Sequence, residues 1–143
     1  QLTPSGASLP TLAITNSAGQ NQTIDLNTTP FCIQRKGEHI FPTIARLVDA
    51  NQIEEAKKRL DQLLAILVEK RKKGVSQCDV ALVTRGNVGY IEDRALFLDI
   101  GSFKLDKSTG YVHEKRQMQP LIVWLESRNK ELASWFKQRV YSL

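Results

Sequence analysis

The sequence predicts an α+β domain, mainly helical with one small β-hairpin, and three observations support this. Ile53, Ala56, Leu60, Leu63, Leu64, Leu67 and Val68 repeat at helical spacing, a stripe wide enough to face a core. Two short apolar runs, Val88–Ile91 and Ala95–Leu98, flank Glu92-Asp93-Arg94 and read as a hairpin. Leu121, Leu125, Leu132, Trp135, Phe136 and Val140 form a second helical face near the C-terminal end. A length of 143 residues suits one domain, and 41% hydrophobic with 24% charged residues excludes a disordered or collagen-like chain. No apolar run approaches the ~18 residues needed to span a bilayer. Cys32 and Cys78 form no disulfide framework, so thiols in a reducing cytoplasm are expected.

Residues 1–30 differ from the rest, with Pro4, Gly6, Pro10, Gly19 and Pro30 among many polar residues and Asp25 as the one charge. They read as a polar leader or junction, partly ordered, and residues 31–143 as the packed domain. Leu12–Thr15 and Thr23–Leu26 form two short strands around the turn 16–21. Asn21-Gln22-Thr23 and Asn27-Thr28-Thr29 match the glycosylation pattern, as many unmodified segments do. Phe31-Cys32-Ile33 is an extended segment and Pro42–Val48 a short helix. Asn51 reads as the N-cap of the long helix, with Glu54 reaching back to it. Lys70–Lys73 close that helix where cations suit its dipole, and Gly74 follows as the C′ residue. Val75–Gly86 reads as a loop, Ile100-Gly101-Ser102 ends the second hairpin strand, and residues 104–112 are polar and turn-like. Pro120 suits the first turn of a final helix, Pro120–Arg139. The chain opens on Gln1 rather than Met, so a fragment or processed product is expected, and a missing targeting segment is uninformative.

The net charge of +5 does not point to nucleic acid. The excess lies on the two predicted helical segments, 51–75 and 111–143, interleaved with acids as on ordinary solvated faces. Lys70-Arg71-Lys72-Lys73 is the one dense basic run, and no surface aromatics interleave with it for stacking. Gly86-Asn87-Val88-Gly89 matches the GxxG loop of KH domains, but there the loop joins two helices, whereas a strand follows here. Cys32, His39, Cys78 and His113 lack metal-ligand spacing.

One ordered set carries chemistry: Asp79 in the loop, Asn87 at the start of a strand, and Asp99-Ile100-Gly101 at the end of the next. Kinase-type phosphoryl transfer needs these residue types in this order. One Asp accepts the hydroxyl proton of the substrate, and the Asn and second Asp hold Mg²⁺ on the nucleotide phosphates. A hairpin sets the Asn beside the second Asp, and sparse oxygen ligation suits octahedral Mg²⁺. Each residue also has a structural reading: Asp79 as a loop cap, Asn87 as turn geometry, Asp99 as a hydrogen-bond partner of the turn.

Through these residues the chain resembles a known family at two levels. Gly74–Gly101 is similar to the catalytic half of the protein-kinase-like C-terminal lobe. Gln77-Cys78-Asp79 stands in place of the His-Arg-Asp loop, Asn87 in place of the metal-binding Asn, and Asp99-Ile100-Gly101 in place of the Asp-Phe-Gly motif. More closely, Phe31 to Arg139 is similar to uncharacterised kinase-like proteins of Chlamydia-related bacteria. That similarity rests on Phe31-Cys32-Ile33-Gln34, Glu54-Glu55-Ala56-Lys57, Lys73-Gly74-Val75, Asn87-Val88-Gly89 and the run from Arg94 to Gly101. The resemblance implies a mainly helical kinase-type C-lobe with Asp79 as candidate base. Asn87, Asp99 and Gly101 would face the nucleotide, Asn87 and Asp99 would hold Mg²⁺, and Mg²⁺ and ATP are the implied cofactors.

The departures are equally specific. Active kinases use an Asp-x-x-x-x-Asn spacing, whereas Asn87 follows Asp79 by eight positions, and no His precedes Asp79. A Gly-rich phosphate loop, a Val-Ala-Ile-Lys strand, a helix Glu to pair that Lys and an Ala-Pro-Glu segment are all missing. The expectation is therefore an incomplete or degenerate kinase-like domain of pseudokinase type. It would retain a Mg²⁺/nucleotide-phosphate site for binding or regulation, and catalysis by this chain alone is disfavoured. The alternatives are a C-lobe fragment of an active ATP-dependent phosphotransferase, or a small α+β protein-interaction module with Trp124, Trp135 and Phe136 as anchors. A protein partner is admitted, nucleic acid is disfavoured and no membrane span is expected.

Overall fold

A computed structural model describes residues 9–29, 35–77, 82–84, 86–100, 103–106 and 111–143. Two compact units divide the chain, residues 1–35 and 36–143. In the first, β1 (Thr11–Thr15) pairs antiparallel with β2 (Asn21–Asp25), the hairpin predicted there. Asn16 shapes its turn, its side-chain oxygen accepting from the N–H groups of Ala18 and Gln20 at 3.0 and 2.9 Å. The predicted segment Phe31-Cys32-Ile33 lies outside the described residues.

The second unit is mixed α+β. It begins with β3 (Glu38–His39), which runs directly into α1 (Ile40–Asp49). Ile40, Ile44 and Leu47 bury one face of α1. The chain then turns on Asn51, which is not the predicted N-cap. Asn51 takes a left-handed φ of 56°, and its N–H bonds Val48 O while that of Gln52 bonds Leu47 O. Those bonds close the end of α1 as a Schellman motif, a place where Asn tolerates the left-handed region. The long helix α2 (Ile53–Lys72) starts from Gln52 with no side-chain cap. Its predicted stripe is buried through Ala56, Leu60, Leu63, Leu64 and Leu67, and Gly74 follows the C-cap Lys73 at φ 67° as predicted.

The segment read as a loop from Val75 opens instead with a strand. β4 (Val75–Gln77) pairs antiparallel with β7 (Phe103–Leu105), part of the segment read as turn-like. Three-residue strands lack enough periodicity to show in sequence; a distant partner makes them strands. The hairpin lies one residue from its predicted edge, with β5 (Val88–Ile91) and β6 (Arg94–Phe97) joined through Glu92 at φ 56°. β5 is the central strand of β3-β5-β6. Its Val88, Gly89 and Tyr90 are buried, and the Tyr90 hydroxyl donates to Arg59 O at 2.7 Å. A β-carbon at Gly89 would run into the Glu38 carbonyl, so the β3–β5 approach requires glycine.

The final helix is two helices. α3 (Val112–Arg128) begins well before Pro120, which lies inside it, and α4 (Lys130–Tyr141) follows. Asn129 breaks the run with extended φ −152° and ψ 101°, and its side chain accepts from Leu132 N at 2.9 Å as an N-cap. The predicted apolar face survives the break, with Leu121, Leu125, Leu132, Phe136 and Val140 all buried. One core joins α1, α2, β5, α3 and α4, with Leu82 and Val83 added from the connection before β5. No helix among the described residues is long and apolar enough to cross a membrane.

Candidate functional site

The strand pairing brings two of the candidate residues, Asn87 and Asp99, to one end of the sheet. Asn87 precedes β5 and Asp99 follows β6, and the antiparallel register places Val88 opposite Phe97. One step further, Asn87 O accepts from Leu98 N at 2.8 Å and lies 3.5 Å from Asp99 N. Asn87 is buried and Asp99 exposed, so the pair sits where the sheet meets solvent. A second ladder acts on the same segments. Gln77, last in β4, pairs with Phe103, first in β7. The chain leaving Gln77 leads to Asp79, and the chain entering Phe103 comes from Gly101. Asp79 and Gly101 themselves lie outside the described residues, so the structure places Asn87 and Asp99 together and is silent on the other two.

Helix α3 anchors the root of the Asp79 segment. His113 Nε2 lies 2.8 Å from Gln77 O, a bond made by the Nε2–H tautomer. Gln117 Nε2 donates to the same carbonyl at 3.2 Å. Behind this lies a polar group that sequence reading missed. Lys70 belongs to the basic run assigned to the helix end, yet it is 5% exposed and pairs with fully buried Glu114, Nζ to Oε1 3.5 Å. Its ammonium also lies 5.8 and 6.0 Å from the rings of Phe97 and Phe103. Burial holds the Lys70 amine below the ordinary lysine range, and Glu114 acts against that shift. The signal was spacing: Leu63, Leu67 and Lys70 continue one helical face, as do Glu114, Met118, Leu121 and Leu125 on α3.

Phe97 and Phe103 meet edge to face, 5.0 Å between centroids. They wall an apolar recess of about 330 Å³ with Ile66, Val75, Leu96 and the Lys70 stem. A wider groove of about 590 Å³ runs along α2 between Glu54, Lys58, Asp61 and Trp135, and neither Asn87 nor Asp99 lines it. The proposed aromatic anchors are mostly committed elsewhere. Phe136 is fully buried, Trp124 packs edge to face on Phe41 at 5.1 Å, and the Trp135 ring is approached by the Lys57 and Arg139 cations.

In kind, the amide of Asn87 and the carboxylate of Asp99 suit a hard cation, and the two residues meet through their backbones, Asn87 O to Asp99 N. Among the described residues no three His, Cys, Asp or Glu side chains gather as a metal-holding group. Cys32 and Cys78 lie outside those residues. The GxxG segment does not join two helices, because Val88 and Gly89 belong to β5. No family model, no curated protein and no solved structure matches this chain.

Proposed function

We propose that residues 36–143 are an incomplete or degenerate kinase-like lobe that binds Mg²⁺ and nucleotide phosphate for a binding or regulatory role. The observation that carries this reading is the backbone approach of Asn87 and Asp99, O to N 3.5 Å, just beyond the ends of β5 and β6. Mg²⁺, when bound, would neutralise phosphate charge. Asn87 and Asp99 would fix its position, with phosphate and water completing the coordination. Without a strand Lys or a glycine-rich clamp in this sequence, the positioning on which phosphoryl transfer rests is incomplete.

Thermal unfolding with Mg²⁺ and ATP tests the reading. Ligand at a hundredfold excess over its Kd is expected to stabilise the chain by about 2.7 kcal/mol. Asp99→Ala is expected to abolish that gain, and the exposure of Asp99 predicts little change in basal stability. A wild-type chain that ignores Mg-ATP, or a variant that responds equally, removes the nucleotide site.

A second reading, a protein-interaction module, is favoured by exposed apolar side chains: Ile100, Leu105 and Val112 are 58%, 88% and 72% exposed. Light scattering on the wild type and on Leu105→Lys checks it. The module reading expects wild-type assembly that the variant loses; a monomer in both cases eliminates self-association through Leu105.

A further inference from the structure

Three strands of the second unit end together, and a third chemistry-bearing side chain lies at that end. β3 pairs with β5 so that His39 faces Gly89, and β5 pairs with β6 so that Gly89 faces Leu96. Each pairing is antiparallel. The last residue of β3 therefore lies at the same end of the sheet as the first residue of β5 and the last of β6. His39 lies opposite Gly89, while Asn87 and Asp99 lie just beyond the ends of β5 and β6 at that same end of the sheet.

The imidazole of His39 is held there by packing. Gly86, the residue before Asn87, has φ 72°, and a β-carbon on it would collide with ring atoms Cε1 and Nδ1 of His39. Gly86 is buried beneath the ring, whereas His39 remains exposed to solvent. Its backbone is fixed as well, since Thr43 Oγ1 donates to His39 O at 3.0 Å. The neighbouring Glu38 carboxylate is engaged by Arg46 at 2.9 Å and by the Thr43 hydroxyl. Partial burial pushes the Glu38 carboxyl up, but the hydrogen bonds from Thr43 and Arg46 and the Arg46 charge together hold it below its ordinary range.

We infer that His39 is a phosphate contact, donating a ring N–H to a phosphate oxygen of the nucleotide whose Mg²⁺ is held by Asn87 and Asp99. This rests on the function proposed above. Were Mg²⁺ held by Asn87 and Asp99, a phosphate chain on it would have His39 as a donor at the same end of the sheet. The exposed imidazole there supplies a donor to an anion, the kind of hydrogen bond that is strengthened by charge. Sequence reading missed the residue because His39 is 48 positions from Asn87, and only the β3–β5 pairing brings the two together.

Titration of the ¹⁵N-labelled full chain with Mg-ATP tests the assignment. The ring nitrogens of His39 are expected to shift, whereas those of His113, bound to the Gln77 carbonyl, serve as an internal control and stay in place. His39→Phe keeps a flat ring against Gly86 but removes the donor, and is expected to weaken Mg-ATP binding by about tenfold or more. His39→Gln restores a donor and is expected to recover part of that loss. If wild type binds Mg-ATP in an Asp99-dependent way while His39→Phe binds equally well, the phosphate contact is wrong and the nucleotide site stands. If the wild-type chain shows no response at all, the site itself fails and the contact with it.

Discussion

Lys70→Met is expected to destabilise the fold by about 3–5 kcal/mol, because it leaves the Glu114 carboxylate buried with no ion-pair partner. The Lys70 and Glu114 side chains are 2% and 0% exposed, so solvent screens the pair little. They bridge the end of α2 to the start of α3, and the 3.5 Å separation makes an ion pair without a hydrogen bond. Removing both charges should act differently. Lys70→Met with Glu114→Leu replaces the pair with apolar side chains among Leu67, Met118 and the two Phe rings. That double variant is expected to match the wild type or exceed it by about 1–4 kcal/mol. Urea unfolding, compared at constant m-value, measures both. A single variant within experimental error of the wild type would show that the carboxylate finds water or another partner. A double variant as damaged as the single would show that the polar group is needed to build the fold.

Phe136→Ala is expected to cost about 3–5 kcal/mol, the range for deleting a fully buried aromatic side chain. Phe136 is 0% exposed on α4, the helix that closes the core against α2 and α3. Its neighbour Trp135 offers the contrast. That ring is half-buried, with the cationic heads of Lys57 and Arg139 5.9 and 6.0 Å from its centroid. Trp135→Ala therefore leaves a gap open to solvent and is expected to cost clearly less. Urea midpoints for the two variants give the comparison, and an order opposite to this one would place the Trp, not the Phe, at the centre of packing. The same ordering bears on the interaction-module reading, because a side chain that the core needs is not available as a docking anchor.

Much of the fold was legible from periodicity. The α2 stripe, the β5–β6 hairpin and the α3–α4 apolar face follow from residues spaced three and four, or two, apart. What failed was punctuation. Asn51 and Asn129 have equal claims to cap a helix, yet Asn51 ends α1 in a left-handed turn and Asn129 starts α4. Both roles suit Asn, and the neighbouring hydrogen bonds decide between them. Pro120 likewise admits a helix start or an interior position, and burial of Met118 and Gln117 extends α3 past it. Of the candidate site, the order Asp79, Asn87, Asp99 could be read directly, and the hairpin expected from sequence is what sets Asn87 beside Asp99.

Local sequence, then, determined which segments bury a face, because side-chain direction repeats with the backbone and needs no distant information. It also determined that acids and amides cluster around one hairpin, since those residues lie within a short stretch of chain. Only the tertiary structure decided that Val75–Gln77 and Phe103–Leu105 are strands, because a three-residue strand exists through its partner's hydrogen bonds. Only it decided that Lys70 is a core residue: a lysine's burial depends on whether a carboxylate such as Glu114 arrives from another helix. The same holds for His39, whose place opposite Gly89, at the end of the sheet where Asn87 and Asp99 lie, comes from the β3–β5 register and is written nowhere in the residues beside it.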